Sequence, residues 1–295
     1  MALLRTNLAG IDLSSPVILA AGTAGVLDEM SRVIDLARVG AVTTKSITPL
    51  PREGNETWRI WPAGPAGMLN AIGLANPGLD VFLSEIAPRA KDLRCKVFVS
   101  VAGFSVEDYV QCAANIDAFV SDATPQACNI YAIELNVSCP NVKTGTEFGH
   151  TPELIAELLR AVRPVVRACR VLVKLSPATP HLVSVCESAI RHGADALTLG
   201  NTYPAMAIDV LTRKPILANV TGGLSGPGIH PIAVKHVYDV YRKVAREAKV
   251  PLIGTGGVMA WEHGAEFILA GATAFQIGTG LFADPRCPVA IHKGL

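Results

Sequence analysis

Eight times along this chain a short β-branched run gives way to a turn rich in Gly, Asn, Ser or Thr, and then to a stretch of helical periodicity. Parallel strands cannot be joined by a tight hairpin and need a crossover, usually a helix, so the repetition commits the chain to βα units. The expected strands are 17–20, 41–45, 97–101, 131–137, 171–175, 196–199, 252–254 and 274–277. The expected helices are 28–38, 79–92, 106–119, 152–167, 180–191, 231–248, 261–270 and a last one beginning near Pro285. The strands are near-continuous apolar runs, the pattern of strands covered on both faces. Eight units in 295 residues is the count for an α/β fold of the (β/α)8 TIM-barrel type. A doubly wound sheet uses the same units and would follow if one pair were misassigned. No composition break marks a linker, so 1–295 reads as a single domain. The opening segment 3–14, with turn signals at Ala9-Gly10 and Ser14-Ser15-Pro16, is expected to form a hairpin closing the barrel's bottom.

Charge and cysteine usage narrow the function classes. Lys+Arg 26 against Asp+Glu 25 gives a net charge of +1, without the basic stripe of a nucleic-acid binder. A hydrophobic fraction of 50% with 17% charged residues excludes disorder. The longest nearly apolar stretch, 17–27, contains Gly22, Thr23 and Gly25 and falls short of the roughly 20 residues that span a bilayer. The first residues carry no sustained apolar core with a cleavage site. A cytoplasmic protein is expected, with neither nucleic-acid nor membrane partners. The seven cysteines are Cys95, Cys112, Cys128, Cys139, Cys169, Cys186 and Cys287. They are dispersed, odd in number and free of C-x-x-C spacing, so no metal site is expected. Cys112 and Cys186 fall within helical patterns and read as small buried hydrophobes.

Three connections are too long for ordinary βα loops: 46–78, 138–151 and 201–230. Long active-site loops at strand C-termini are where a barrel builds its substrate site. The strand ends themselves carry Ala21-Gly22-Thr23, Lys45-Ser46, Ser100, Asn136-Val137-Ser138-Cys139, Lys174, Asn201-Thr202, Gly256-Gly257 and Gly278-Thr279. Thr23 or Ser100 alone reads as a turn or cap. Lysines, amides, hydroxyls and a thiol together at the ends of apolar strands are costly to desolvate without partners, and the set reads as a ligand site. The stretches Gly254–Gly257 and Gly278–Gly280 follow the last two strands, the frequent phosphate position of this fold. The stretch 221–226 adds a third glycine-rich element. No nucleoside-triphosphate loop and no NAD fingerprint in context is present. Cys139 lies just past the fourth strand, flanked by Asn136 and Asn141. A thiol before a proline is ordinarily a turn residue, but beside a lysine on this face it is a usable general base. His150, His181, His192, His230 and His263 fall near helix ends or loops and are expected to be solvated or capping.

These residues make the chain recognisable. Thr44–Thr48, Pro51–Asn55, Met68–Leu74 with Asn76-Pro77-Gly78, and above all Glu134-Leu135-Asn136-Val137-Ser138-Cys139-Pro140-Asn141 resemble the class 1 dihydroorotate dehydrogenases, over nearly the whole length. Val173-Lys174-Leu175, Asn201-Thr202, Gly222–Gly226 and the two terminal glycine loops complete the likeness. The resemblance implies an FMN-dependent barrel oxidising dihydroorotate to orotate in pyrimidine synthesis. Cys139 would remove the C5 proton while hydride passes from C6 to the flavin. It implies substrate contacts from Lys45, Asn70, Ala71, Ile72, Gly73, Leu74, Asn136, Asn141, Asn201 and Thr202. It implies FMN contacts from Ala21, Lys45, Ser46, Ser100, Asn136, Lys174, Gly200, Gly226, Gly256, Gly257, Gly278 and Thr279. An anionic, amide-edged ring is well held by a cation and several carboxamides.

Lys45-Ser46, residues 70–74 and the 143–149 loop look most like the NAD-linked subclass, class 1B. That subclass implies a homodimer, or a heterotetramer with an iron–sulfur flavoprotein subunit carrying FAD and a [2Fe–2S] cluster. Three positions depart from the family pattern: Ala21 in place of a serine, Ser100 in place of an asparagine, and Trp58 in place of a proline. The residues leave other readings open: a related FMN barrel acting on another dihydropyrimidine, a phosphate-sugar isomerase or aldolase using Lys45 or Lys174 as a Schiff base, and a barrel kept as a structural subunit.

Overall fold

The computed structural model describes residues 4–123, 128–138 and 147–295. Strands β1 (Thr6–Leu8) and β2 (Ile11–Leu13) pair as an antiparallel hairpin. Ala9 and Gly10 form its turn with φ of 52° and 87°, the double positive φ of the hairpin turn that matches strand twist. The chain continues through β3 (Val17–Leu19) and β4 (Ala41–Thr43), with β5 (Ile60–Pro62) and β6 (Met68–Asn70) inside the first long connection. Next come β7 (Lys96–Val101), β8 (Ile130–Asn136), β9 (Arg170–Leu175) and β10 (Ala196–Leu199). The third long connection holds β11 (Tyr203–Ala205), β12 (Ile208–Asp209), β13 (Lys214–Pro215) and β14 (Gly222–Ser225). The last strands are β15 (Leu252–Thr255) and β16 (Ala274–Ile277).

Strands β3, β4, β7, β8, β9, β10, β15 and β16 close into one parallel barrel. They are the eight expected strands, each matched to within a few residues at its ends. Register sorts their side chains into layers, because alternate residues point inward. The lower layer is Ile18, Ala41, Phe98, Ala132, Leu172, Ala196, Ile253 and Ala274, which form one apolar cluster with Leu8, Ile11 and Leu13 of the hairpin. The hairpin therefore plugs the barrel's N-terminal end, as expected from residues 3–14. The intervening residues, such as Leu19, Val42, Val99 and Phe275, face outward into the cluster shared with the helices.

Two residues further along each strand the interior changes character. The layer there is Ala20, Thr43, Ser100, Glu134, Lys174, Thr198, Thr255 and Gln276, all buried and seven of the eight polar.

Most helices form where periodicity places them. Val106–Asp122 opens on a capping box in which Ser105 accepts from the Asp108 N–H and the Asp108 carboxylate accepts from the Ser105 N–H. Pro152–Val162 opens on the Thr151 cap. Two expectations are corrected. Residues 28–38 form two short 3-10 turns, Glu29–Arg32 and Leu36–Arg38, in place of one helix. The Glu29 carboxylate accepts from the Val26 and Leu27 N–H groups, and Asp35 from Ala37, giving the backbone local partners that compete with helical ones. Residues 79–92 run from one α-turn through a π-turn, Phe82–Ile86, to a 3-10 segment, Ala87–Asp92. Pro88, which has no N–H to give an α-helical bond, sits at that second junction.

The first and third long connections carry strands of their own. β11, β14, β6 and β5 form a four-stranded antiparallel sheet across the barrel's C-terminal mouth. Among the described residues no helix is long and apolar enough to cross a membrane, and no cluster of His, Cys, Asp and Glu is arranged to hold a metal.

Candidate active site

At the mouth, polar tips from four barrel strands and their following loops join into one chain of hydrogen bonds. Ser100 Oγ lies 2.8 Å from Ser46 Oγ. Asn136 Nδ2 donates to Ser46 Oγ at 3.4 Å, and Asn201 Nδ2 donates to both Asn136 Oδ1 (3.3 Å) and Ser138 Oγ (2.9 Å). The Asn201 carbonyl oxygen accepts from the Thr202 N–H, which fixes which edge of the amide faces the site. Asn136 is held from behind by Tyr109, whose hydroxyl donates to its main-chain carbonyl at 2.7 Å. Ser100 is fully buried, so where the family pattern has an amide this chain has a hydroxyl whose partner is Ser46. Ala21 stands half-buried just beyond the end of β3, and its methyl group offers no hydrogen bond.

Lys45 follows β4. Its Nζ lies against Gly22, where an added Cβ would come within 3.5 Å of it. Burial, and secondarily the positive charge of Arg59, hold its pKa below the ordinary lysine value. Two cations at one half-buried rim favour an anionic ligand. Arg59, unmarked in the sequence reading, is fixed by bonds to the carbonyls of Glu53 and Asn55.

Residues 70–74 form a strap along this rim, and the 52–59 loop anchors its backbone. Ala71 N donates to the Arg59 carbonyl, Asn55 reaches the carbonyls of Ala71 and Ile72, and Arg52 Nε reaches that of Gly73. Gly73 and Leu74 have φ of 75° and 57°. Asn70 Nδ2 donates to the carbonyl of Gly223, tying the strap to β14. Trp58 in the anchoring loop is 68% exposed, and nothing in the structure explains the tryptophan side chain.

The floor beneath these tips is the polar interior layer. Lys174 Nζ and Thr255 Oγ1 both donate to Gln276 Oε1 at 3.2 Å. Gln276 Nε2 donates to Glu134 Oε2 at 2.7 Å and approaches Thr43 Oγ1 at 3.5 Å. Thr198 Oγ1 donates to the same carboxylate oxygen at 2.8 Å. Glu134 Oε1 has no hydrogen-bond partner among the described residues. Glu134 and Gln276 escaped the sequence reading as site residues. The available signal was the alternation of inward residues, which turns polar at every strand except β3.

The glycine loops make a backbone cradle opposite the amides. Gly226, Gly256 and Gly257 have φ of 113°, 141° and 68°. A Cβ on Gly257 would lie 2.7 Å from the Gly226 carbonyl oxygen, so the two loops touch. Thr279 Oγ1 donates to Ser225 Oγ at 2.7 Å and links the last loop to them, while Gly278 is open, with nothing nearer than 3.6 Å to its missing Cβ. Gly200 is packed on the end of β15, its missing Cβ 1.9 Å from the Thr255 carbonyl oxygen. Gly222 and Gly223 belong to β14: their missing Cβ atoms would strike the Asn70 carbonyl and Thr202 Oγ1.

The expectation for the histidines holds for His263, whose Nδ1 accepts from the Met259 and Ala260 N–H groups. His230 departs from it. It is buried, its Nδ1 donates to the carbonyl of Gly256 at 2.8 Å, and its Nε2 lies 3.2 Å from Glu266 Oε2. It therefore fixes the orientation of the Gly256 peptide in the cradle.

Cys139 and Asn141 lie outside the described residues; Ser138, just before them, is at the mouth through Asn201. The six described cysteines are unpaired. Burial pushes every one of their thiols up, Cys95 and Cys112 to about 12 and Cys287 to about 11, so none is a ready thiolate.

The chain matches the family model described as dihydroorotate dehydrogenase over residues 3–295. It is 44% identical over 290 residues to the dihydroorotate dehydrogenase B (NAD(+)) catalytic subunit of Geobacillus kaustophilus, covering 98% of this chain and 88% of that protein. It is 42% identical to the protein of the same name from Bacteroides thetaiotaomicron, covering 100% and 93%. A putative dihydroorotate dehydrogenase A (fumarate) of Aquifex aeolicus is also 42% identical, covering 99% and 92%. The crystal structure of DHODH from Eimeria tenella in complex with ferulenol shares the fold, with a TM-score of 0.80 at 20% identity, covering 99% of this chain and 83% of that one.

Proposed function

The chain belongs to the dihydroorotate dehydrogenase family, and on that premise we infer that it oxidises dihydroorotate to orotate in pyrimidine biosynthesis, as a single catalytic domain working with FMN. The observation that carries the reading is the meeting of three unlike surfaces at one barrel mouth: a chain of amides and hydroxyls, a rim with two cations, and a glycine cradle in which Gly226, Gly256 and Gly257 have no room for a side chain. The cradle and the hydroxyl-linked loops fit a phosphate, and the buried Lys174 and Asn136 fit a planar, amide-edged ring.

Bound FMN would supply the hydride acceptor. The protein's own residues do the rest. Lys45, supported by Arg59, receives the substrate carboxylate. Asn70, Asn136, Asn141 and Asn201 present carboxamides to the ring's amide edges, with Thr202 and the strap residues Ala71, Ile72, Gly73 and Leu74 beside them. Cys139 takes the C5 proton. Ala21, Ser46, Ser100, Lys174, Gly200, Gly226, Gly256, Gly257, Gly278 and Thr279 line the flavin site.

NAD as the final acceptor, reached through a separate electron-transfer subunit carrying FAD and a [2Fe–2S] cluster, is the reading supported by the relatives named as catalytic subunits. Exposed apolar side chains near the mouth, Trp58, Ile60, Trp61, Ile208 and Leu211, suit coverage by another protein chain. Fumarate as direct acceptor is the second reading, favoured by the Aquifex relative. The unpaired cysteines suit a reducing cytoplasm.

Purified protein should release FMN on denaturation and form orotate from dihydroorotate. Fumarate added to the chain alone, against NAD added to the chain co-expressed with its subunit, separates the acceptors. A protein that binds no flavin and forms no orotate overturns the reading.

A further inference from the structure

The polar layer inside the barrel holds a carboxylate that the reaction above does not use. Glu134 is fully buried, and no Lys, Arg or His side chain lies within salt-bridge distance of it among the described residues. Its Oε2 accepts from Thr198 and Gln276, and its Oε1 has no partner among the described residues. An unpaired buried carboxylate is expensive, so its position needs a reason.

The reason lies one residue away, in Gln276. A lysine ammonium only donates, so Lys174 Nζ requires the carbonyl edge of the Gln276 amide. That choice leaves the NH2 edge facing Glu134. The amide is thus a fixed dipole, its oxygen on Lys174 and its nitrogen on Glu134, clamped by Thr255 and Thr43. The three side chains come from β8, β9 and β16 of a closed barrel, so their backbones are fixed relative to one another and the hydrogen bonds link the side chains across the interior.

We propose that Glu134 is a positioning residue which, through Gln276, fixes Lys174 and sets the reduction potential of bound FMN. The inference rests on the FMN reading above. The negative charge of Glu134, in the layer beneath the mouth residues, would oppose electron uptake by bound FMN, because the reduced ring is the more negative form, while Lys174 would favour it. Both groups are buried away from solvent, where charges are screened less than at the surface, so both effects are larger than they would be in water.

The test is the two-electron midpoint potential of FMN in the purified flavoprotein, with FMN affinity measured separately by fluorescence titration. Glu134→Gln is isosteric: its carbonyl keeps both bonds at Oε2, and its NH2 takes the place of the unpartnered Oε1. Removing the charge should favour the reduced flavin about tenfold over the oxidised one, raising the potential by ~30 mV, with oxidised FMN still bound. Thr198→Val withdraws one donor from the carboxylate, leaves its charge less compensated, and should move the potential the opposite way. A merely structural role would give shifts of no consistent sign. Unchanged potentials in both variants, or shifts of the same sign, overturn this proposal while the FMN reading stands; wild-type protein that takes up no FMN overturns both.

Discussion

Asn201 Nδ2 donates to Asn136 Oδ1 at 3.3 Å although 65 residues separate the two along the chain. The contact joins the tip of β8 to the loop after β10, and it leaves one N–H of Asn136 and a lone pair on each amide oxygen for a ligand. Replacing Asn201 with Ala removes one recognition group and releases Asn136 and Ser138. Hydrogen bonds to a charged ligand contribute roughly 1.5–3 kcal/mol, so dihydroorotate affinity should fall about 10- to 100-fold. FMN content should stay unchanged. Titration of the flavin spectrum with orotate reads the first, and FMN release on denaturation the second.

Gly257 tests the cradle. Its φ is 68°, and a Cβ would meet the Gly226 carbonyl oxygen and His230 Cβ at 2.7 Å. Gly257→Ala should cost about 1–3 kcal/mol in strain and move both loops apart. FMN affinity, followed by the recovery of flavin fluorescence on dilution, is expected to drop, whereas an alanine at the open Gly278 should have a smaller effect.

Gln276 has a structural role as well as the electrostatic one. Gln276→Leu strips Lys174 of its partner and Glu134 of one of two donors in the dry interior. Losing a hydrogen bond to a buried charged group costs roughly 1.5–3 kcal/mol. Urea unfolding of this variant should show a lower midpoint with an unchanged slope.

The barrel was legible because both faces of each strand are covered, which makes the strands continuous apolar runs that only a parallel sheet accommodates. The tips were legible because Lys45, Asn136 and Asn201 interrupt those runs. The sheet over the mouth was not. β6 and β14 are three and four residues long, and Gly222 and Gly223 carry turn chemistry. They are strand residues because Thr202 and the Asn70 carbonyl press too closely for any side chain. His230 was misread for a similar reason: it sits at a helix start, where solvation is usual, and only the fold brings Gly256 over it. Glu134 and Gln276 are single polar letters within hydrophobic strands, and their partnership depends on barrel closure.

Lys45 predicts a pH dependence. Burial, with Arg59 second, lowers its pKa from the ordinary 10.5. As pH rises through that lowered value the ammonium is lost, so affinity for anionic orotate should weaken at a lower pH than an ordinary lysine would dictate. The linkage to stability has the opposite sense: between the lowered value and 10.5 the unfolded chain holds more protons, so ligand-free protein gains stability as pH rises through that window. Lys45→Met should bind orotate weakly at every pH and lose both trends.

Stopped-flow mixing of the purified flavoprotein with dihydroorotate in the absence of oxygen, for wild type and for Cys139→Ala, tests most directly whether this barrel mouth oxidises dihydroorotate with a thiol base. Rapid bleaching of the flavin with stoichiometric orotate in the wild type, and a stable yellow, FMN-loaded Cys139→Ala protein that bleaches at least about a hundredfold more slowly, is the expected result. Equal bleaching in both proteins would contradict the base assignment, and no bleaching in either would contradict the reaction itself.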